Sequence, residues 1–392
     1  MDLLEYQGKE LFARYGLPVP EGIHAATPEE AVAASEKLGY PVAVKAQVLI
    51  GGRGKAGGIK IATDKTEAHE HAGDIIGMDI VGPHGEGPFK VHELWVEVGS
   101  EIESEYYTSV ILDRSEKKLL VMLSRMGGMD VEAIAESDPG ALVKEHVDPI
   151  EGLAIEDARG IVARSGIPRE VAEQVASVLV KLVEVARAED ATLIEVNPLI
   201  VNAAGEVILL DSKVTIDGNA LYRHPELSEL SDGVAEDPQE AMAKERGLTY
   251  VKLEGDIGVL GNGAGLCMST LDVVAQAGGS PANFLDAGGG SKADAIVDAL
   301  EVITSDEKVK AILFNIFGGI TRCDEVAKGI IEATARIGLT MPIVVRLDGT
   351  NSEEGLALLD EAGIGNLHHE STMLGAAEKV VELAAAGREN SA

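Results

Sequence analysis

The chain has 392 residues, of which 33 are Lys or Arg and 66 are Asp or Glu, so its formal net charge is -33. This acidity disfavours binding to nucleic acid or anionic lipid, and any phosphate ligand must be held by a local cluster of positive groups. Two cysteines are too few for a disulfide framework, and no apolar run reaches the ~18 residues of a membrane span. We therefore expect a cytoplasmic protein of two or three domains.

Apolar spacing and capping signals predict the elements of the first half. A helix is predicted over 3–15, and the Thr27-Pro28-Glu29-Glu30 segment opens a second helix that ends at Gly39. A long helix is predicted over 168–188. Strands are predicted over 42–48, 59–62, 92–98 and 106–112, the last two joined by an acidic connection over 99–105. The first half is thus α+β with antiparallel hairpins.

A polar, acidic segment over 226–245 is interpreted as a linker. Beyond it, short apolar strands alternate with glycine turns and helical patterns, which is typical of a βαβ series with a parallel sheet. These strands are predicted over 257–260, 282–285, 311–316 and 343–347. The sequence therefore predicts an α/β protein with one domain over 1–240 and a second over 241–392.

The loop over 51–58 holds five glycines together with Arg53 and Lys55. Its Gly-x-Gly-x-x-Gly spacing is followed by a predicted strand, not by the helix of a Rossmann fold, and the Gly-Lys-Ser/Thr ending of a Walker loop is missing. The pattern favours a flap that covers phosphates, with Lys45 on the preceding strand as a further cation. A flexible hairpin tip is the alternative.

The segment over 192–213 is predicted to be a second hairpin. If its turn centres on Ala204, Asn197 faces Asp211 and Glu195 faces Lys213 on one side of the sheet. Oxygen ligands of this kind suit Mg²⁺, which also binds substrate phosphates. A bulge in the turn would change this register, and a surface hairpin with one salt bridge is the alternative.

Three glycine loops follow predicted strands of the second half, over 261–265, 286–291 and 317–321. Loops at the carboxyl ends of neighbouring parallel strands form the usual ligand edge of such a sheet, and helix N-termini there favour an anion. A dinucleotide is the alternative ligand, although its fingerprint is incomplete. Cys323 just beyond the third loop is either a stabilised thiolate or a small buried side chain.

Taken together, these motifs resemble the β subunits of succinyl-CoA synthetases, the ADP-forming succinate–CoA ligases of the citric acid cycle. The resemblance implies an N-terminal ATP-grasp domain followed by a flavodoxin-like CoA-ligase domain. It also implies an α subunit that binds CoA and carries a phosphorylated histidine, in an αβ or α2β2 assembly. None of the nine histidines of this chain lies in the glycine loops over 51–58, 261–265, 286–291 and 317–321, as expected if the partner supplies that histidine. The resemblance extends over the whole chain and rests on residues 4–7, 51–58, 194–199, 262–265, 282–286 and 315–319.

The same resemblance implies roles for individual side chains. Asn197 and Asp211 bind one Mg²⁺ per β subunit, and Glu195 steers the partner's histidine near the nucleotide. Ser100 stands where the family usually has Thr, and Thr321 where it usually has an aliphatic residue. The implied nucleotide-binding residues are Lys45, Gly52, Arg53, Gly54, Glu97, Ser100 and Glu105. The implied dicarboxylate-binding residues are Asn262, Gly319, Ile320 and Thr321.

The reaction implied by the resemblance has three steps. MgATP phosphorylates the partner's histidine, the phosphate moves to succinate, and CoA displaces it to give succinyl-CoA and ADP. A malate–CoA ligase is the nearest alternative. A lone ATP-grasp ligase joining a carboxylate to an amine, and a subunit that binds ATP without turnover, are the other two.

Overall fold

Antiparallel pairing dominates the first part of the chain and parallel pairing the second. The computed structural model describes residues 1–83, 85, 87–129, 131, 138–230, 237–288 and 293–389. It divides the chain into two units, Met1–Val234 and Ala235–Ala392. In the described residues, no helix combines the length and the apolar character needed to cross a bilayer.

The first unit is built on a seven-stranded and a four-stranded antiparallel sheet, with a further two-stranded one. Its helices are α1 (Glu5–Arg14), α2 (Pro28–Leu38), α3 (Lys65–Ile75), α4 (Ile155–Ser165), α5 (Arg169–Ala188) and α6 (Pro225–Ser228), with 3-10 turns Pro139–Ala141 and Gly218–Arg223. Its strands are β1 (Asp2–Leu3), β2 (Gly22–Ala25), β3 (Val42–Gln47), β4 (Ile59–Ala62), β5 (Asp79–Ile80), β6 (Phe89–Lys90), β7 (Glu93–Val98), β8 (Ile102–Asp113), β9 (Lys118–Ser124), β10 (Leu142–Val147), β11 (Ala191–Asn202), β12 (Val207–Leu209) and β13 (Lys213–Ile216).

The two larger sheets of this unit are covered by helices: α1, α4 and α5 pack against the seven-stranded sheet, and α2 and α3 pack against the four-stranded sheet. The larger sheet has the order β1-β13-β11-β8-β9-β10, with β12 also paired to β11, and the smaller has the order β2-β7-β3-β4. Val175, Leu179 and Leu182 recur at helical spacing on α5 and are buried in the core of the larger sheet. Ala68 and Ala72 of α3 are buried in the core of the smaller sheet.

Local signals predicted most of these elements well. The Thr27 hydroxyl accepts a hydrogen bond from the Glu30 amide at 3.2 Å, which confirms the predicted cap of α2. The predicted first helix was too long, because Leu3 pairs with Val214 in a strand and α1 begins at Glu5. The acidic connection was also too long, because β8 already begins at Ile102 through its pairing with β11. Both differences come from distant strand partners.

The second unit is a mostly parallel sheet with helices on both faces. Its helices are α7 (Pro238–Glu245), α8 (Ala264–Gln276), α9 (Ala293–Thr304), α10 (Cys323–Ile337), α11 (Ser352–Ala362) and α12 (Met373–Glu389). Its strands are β14 (Thr249–Lys252), β15 (Ile257–Gly261), β16 (Asn283–Asp286), β17 (Ala311–Gly318), β18 (Ile343–Gly349) and β19 (Leu367–His369), in the order β14-β16-β15-β17-β18-β19. The predicted parallel series is confirmed from β16 to β19, and β14 adds an antiparallel edge.

Part of the segment interpreted as a linker is helical. Asp237 accepts hydrogen bonds from the amides of Gln239 and Glu240 at 2.9 and 3.3 Å, and Pro238 takes the first helical position of α7. The polar composition reflects a helix that buries only Ala243, so composition alone did not distinguish it from a linker. The remaining residues of that segment over 231–236 lie outside the described residues.

Strand alternation gives the second sheet two separate cores. Ile312 and Phe314 pack with α9, α10 and α11, whereas Ala311 and Leu313 pack with α8 and α12. Successive side chains point to opposite faces of a strand, so both faces of a fully covered sheet are apolar. This burial explains the continuous apolar runs in the sequence.

A buried asparagine joins β15 to β16 where backbone pairing is sparse. The Asn283 side chain accepts from the Val259 amide at 3.1 Å and donates to the Val259 carbonyl at 2.8 Å. Replacing Asn283 by alanine would leave both buried backbone groups without partners, so we expect the free energy of unfolding to fall by about 2–4 kcal/mol. Urea denaturation followed by circular dichroism measures this change. The exposed Asn219→Ala variant is the control, and equal stability of the two variants would contradict the assignment.

Candidate functional site

A cavity of about 360 Å³ lies in the first unit between the glycine loop and the strands β7, β8 and β11. It brings together residues that the sequence places far apart. Its lining includes the predicted nucleotide residues Lys45, Gly52, Arg53, Gly54, Glu97, Ser100 and Glu105 and the predicted metal ligands Asn197 and Asp211. It also includes apolar and loop residues that the sequence did not indicate, among them Ile59, Ile61, Ile102, Met129 and Leu210. The cavity therefore combines a charged part with an apolar part.

The glycine loop joins β3 to β4, which pair as the predicted antiparallel hairpin. The loop is folded on itself, because the Gly58 amide donates to the Arg53 carbonyl at 2.8 Å and the Ala56 amide to the Gly52 carbonyl at 3.2 Å. Gly52 has a φ of +75°, a conformation that favours glycine. These turns direct the Arg53 side chain inwards, where it is 6% exposed, while Lys55 stays at the surface.

Buried charges form a network behind this loop. Glu5 lies 2.7 Å from Lys9, 3.0 Å from Lys45 and 2.6 Å from Arg53, measured between nitrogen and carboxylate oxygen atoms. Lys9 and Lys45 also pair with Glu97, which is completely buried. Since ions this deep are stable only when paired, the network holds Lys45 and Arg53 in defined positions at the cavity wall.

The network determines the protonation of its members. Burial alone would raise the pKa of Glu5, but Arg53, Lys45 and Lys9 hold that pKa well below its usual range. Burial alone would lower the pKa of Lys45, but Glu5 and Glu97 raise it above its usual value. Lys45 and Arg53 therefore remain positive and Glu5 negative at neutral pH.

The sequence did not indicate Glu5 and Lys9 as part of this site. Glu5 falls within residues 4–7, one of the segments that carry the family resemblance, whereas Lys9 lies outside all of these segments. The helical spacing places both on one side of α1, and the contact with β3 and β7 depends on how the smaller sheet is assembled.

The predicted metal ligands lie on the second hairpin. Its register is the predicted one, since Glu195 pairs with Lys213 and Leu199 with Leu209. Asp211 lies between β12 and β13, outside the strand ladder, and it accepts bonds from Arg53 and the Ser212 amide at 2.8 Å through Oδ1. The side-chain oxygen Oδ1 of Asn197 accepts a hydrogen bond from the Gly128 amide at 2.8 Å.

These two side chains offer the donor set that Mg²⁺ prefers. The hydrogen bonds that Asp211 accepts from the described residues use Oδ1, so Oδ2 can serve as a ligand. The amide oxygen of Asn197 has a second lone pair beside the one that Gly128 uses. Hard oxygen atoms on the wall of this cavity, which Lys45 and Arg53 also line, fit a magnesium ion that keeps several water or phosphate ligands.

Glu195 lies on β11, as Asn197 does, but it is not among the residues that line the cavity. It accepts a hydrogen bond from the Tyr107 hydroxyl at 3.2 Å and is partly exposed. The carboxylate is thus oriented by a neighbouring strand and is accessible from solvent.

The three predicted loops of the second unit are linked by side chains in their described parts. Asp286 accepts from the Gly263 amide at 2.6 Å, and the Asn262 amide group bonds both the N–H and the carbonyl of Phe317 at 2.9 and 2.8 Å. The predicted residues Gly289, Gly290 and Ser291 lie outside the described residues. The loops therefore meet at one edge of the sheet, as predicted for neighbouring strands.

The predicted dicarboxylate residues are not equally accessible at this edge. Ile320 is 88% exposed, whereas Thr321 is only 2% exposed. Asn262 uses its side-chain amide to hold the Phe317 loop. Cys323 is buried, which raises the pKa of its thiol, so it is a packing residue and not a stabilised thiolate.

Comparisons with known proteins agree along the whole chain. The ATP-grasp domain family matches residues 2–201, and the CoA-ligase family matches residues 260–380. The succinate–CoA ligase [ADP-forming] subunit beta of Rubrobacter xylanophilus is 54% identical over 387 residues, covering 99% of this chain and 100% of that protein. The protein of the same name from Persephonella marina is 46% identical over 389 residues, covering 98% and 99%.

A solved structure shares the fold. ATP citrate lyase from Methanothrix soehngenii, in complex with citrate and coenzyme A, has a TM-score of 0.73 at 19% identity and covers 98% of this chain and 99% of that one. At this identity the likeness concerns the fold alone. The sequence matches go further: this chain, an ATP-grasp domain followed by a CoA-ligase domain, belongs to the family of ADP-forming succinate–CoA ligase β subunits.

Proposed function

We propose that this chain, together with an α subunit, converts ATP, succinate and CoA into ADP, phosphate and succinyl-CoA. The observation that carries this function is the match to two succinate–CoA ligase β subunits at 54% and 46% identity over nearly the whole chain. We assign ATP to the cavity of the first unit and the dicarboxylate to the linked loops of the second unit.

The cavity of the first unit is the proposed ATP site. Lys45, Gly52, Arg53 and Gly54 bind the phosphates, because two cations and close backbone approach are available there. Glu97, Ser100 and Glu105 belong to the same wall, and the apolar side chains nearby suit a nucleobase. The pairing of Glu97 with Lys45 supports a role in holding that lysine in place.

Asn197 and Asp211 are the proposed ligands of one Mg²⁺. When bound, the ion neutralises part of the charge on the ATP phosphates. Asp211 also accepts a 2.8 Å hydrogen bond from Arg53. One carboxylate would therefore bind the metal ion and position a side chain that binds the ATP phosphates.

Phosphate transfer requires a nucleophile, which we assign to a histidine of the α subunit. Glu195 is proposed to orient that imidazole near the nucleotide, since its carboxylate is held by Tyr107 and remains accessible. In the second unit, Asn262 and the residues Gly319, Ile320 and Thr321 form the proposed dicarboxylate loop. The exposed Ile320 suits an αβ contact, and the assembly is αβ or α2β2.

The test is to purify the tagged chain with its α subunit and to measure ADP and CoA thioester formation. We expect both products only when succinate, CoA and ATP are all present. Thioester formation with malate in place of succinate would assign the site to a malate–CoA ligase. Turnover without an α subunit would support a lone ligase instead, and ATP binding without turnover would support a sensor subunit.

A further inference from the structure

A second cluster of ionisable groups lies in the first unit, apart from the residues that line the cavity. Glu189 and Asp190 follow the end of α5, and His224 and Glu226 lie at the start of α6. One potential ligand atom each from Glu189, His224 and Glu226 lies within 4.8 Å of the others. No part of the proposed reaction uses these residues.

The imidazole of His224 is oriented by a neighbouring carboxylate. His224 Nε2 lies 2.7 Å from Asp190 Oδ2, and Arg223 Nη2 lies 2.9 Å from the same oxygen. A carboxylate can only accept, so Nε2 carries a proton. This leaves Nδ1 directed at Glu189, the arrangement in which a carboxylate orients a metal-binding histidine.

Glu189 has one oxygen that the surrounding protein does not satisfy. Its Oε1 accepts a hydrogen bond from the Tyr15 hydroxyl at 2.6 Å. Its Oε2 is buried and has no hydrogen-bond partner among the described residues, although the residue is only 8% exposed. A buried carboxylate oxygen without a partner is unfavourable, so this atom indicates a missing positive ligand.

The distance between the two buried ligand atoms distinguishes a bridging ion from a direct bond. His224 Nδ1 and Glu189 Oε2 are 3.5 Å apart. A charged hydrogen bond between them would be about 2.7–2.9 Å long. Two ligands bound at about 2.0–2.1 Å to a tetrahedral zinc ion lie about 3.4 Å apart, which agrees with the observed separation.

We propose that Glu189, His224 and Glu226 bind a divalent cation of the zinc type. One imidazole and two carboxylates favour such a metal over Mg²⁺, which prefers oxygen ligands throughout. Glu226 is exposed and provides an entry for the ion and for a water molecule as fourth ligand. The bound ion ties the end of α5 to the turn that begins α6.

The experiment is a Zn²⁺ titration of the chelator-treated complex of this chain with its α subunit, in competition with a chromophoric chelator and without nucleotide. We expect His224→Gln to remove one equivalent of bound Zn²⁺ from the wild-type stoichiometry. The exposed Glu226→Gln variant should bind Zn²⁺ at least about 10-fold more weakly, and Asp190→Asn about 10–100-fold more weakly. Circular dichroism of Glu226→Gln shows that the loss does not come from misfolding.

Two control variants separate this site from others. His146→Gln removes an exposed histidine that also pairs with a carboxylate, Asp113, at 2.9 Å, and it should leave Zn²⁺ binding unchanged. Asp211→Ala removes a proposed Mg²⁺ ligand. This variant should still bind the equivalent of Zn²⁺ that is lost in His224→Gln. Equal Zn²⁺ stoichiometry and affinity in the wild type, His224→Gln and Glu226→Gln would overturn the proposal.

Discussion

Replacing Asp211 by alanine is expected to reduce MgATP-dependent phosphorylation of the α subunit by about 10²–10³-fold or more. The substitution removes one of the two proposed metal ligands and, at the same time, the carboxylate that holds Arg53 at 2.8 Å. The metal ion and Arg53 are both proposed to stabilise the charge on the phosphate during its transfer, so losing their common ligand should slow that step. Transfer of radiolabel from the γ-phosphate of ATP to the α subunit measures the effect directly.

A loss of fold would mimic this result, so the controls matter. Arg53 keeps its 2.6 Å contact with Glu5 in the variant, and we therefore expect the Asp211→Ala chain to remain folded and to copurify with the α subunit. The exposed Glu206 lies in the turn of the same hairpin, and Glu206→Ala should retain wild-type labelling. Unchanged labelling of the α subunit by the Asp211→Ala variant would contradict the assignment of Asp211 as a metal ligand.

The substitution Glu5→Gln is expected to lower the free energy of unfolding by about 3–5 kcal/mol. Glu5 is the shared partner of Lys9, Lys45 and Arg53, all of which are buried. Glutamine keeps the shape but leaves these cations with less negative charge in a region from which water is excluded. Urea denaturation of wild type and variant at neutral pH measures this difference in the free energy of unfolding. The same variant should also bind ATP more weakly, because Lys45 and Arg53 lose the carboxylate that holds both of them.

The contribution of Glu5 has a defined pH dependence. Its pKa is held well below the unfolded value of about 4.3, so the stabilisation is fully present above that value and is lost as pH falls through the folded pKa. The stability gap between wild type and Glu5→Gln should thus stay constant from pH 7 to about pH 5 and narrow under more acidic conditions. The exposed Glu10 on the same helix provides the control Glu10→Gln, for which no gap is expected. A stability difference between wild type and Glu5→Gln that does not change with pH would contradict the ionised state of Glu5.

Residue patterns predicted the local geometry of the candidate site where that geometry depends on a short motif. The composition of the segment over 51–58 predicted the glycine loop. A turn and side chains that alternate with a period of two predicted the hairpin of Asn197 and Asp211, and the predicted pairing of Glu195 with Lys213 is observed. Residues without a motif were missed. Lys9 sits in an ordinary amphipathic helix, and its pairing with Glu97 spans a separation of 88 residues.

Accessibility was the second property that residue patterns did not predict. Ile320 and Thr321 are neighbours in one predicted substrate loop, yet one is 88% and the other 2% exposed. Asn262 was predicted to face a ligand, and its amide is engaged by the backbone of Phe317. The orientation of a loop residue depends on the adjoining strand, which the local sequence does not specify.

The amino-acid sequence by itself determined the types of the elements, the caps such as Thr27, the two-part organisation and the family. These properties depend on short-range periodicity, on glycine and proline conformations, and on motifs read within a few residues. Only the tertiary structure decided that Glu5 joins Lys45 and Arg53, and that β14 closes the second sheet as an antiparallel edge. The physical reason is that buried charges and strand edges take whichever partners the sheet order brings near, and that order is set by contacts between residues far apart in the chain.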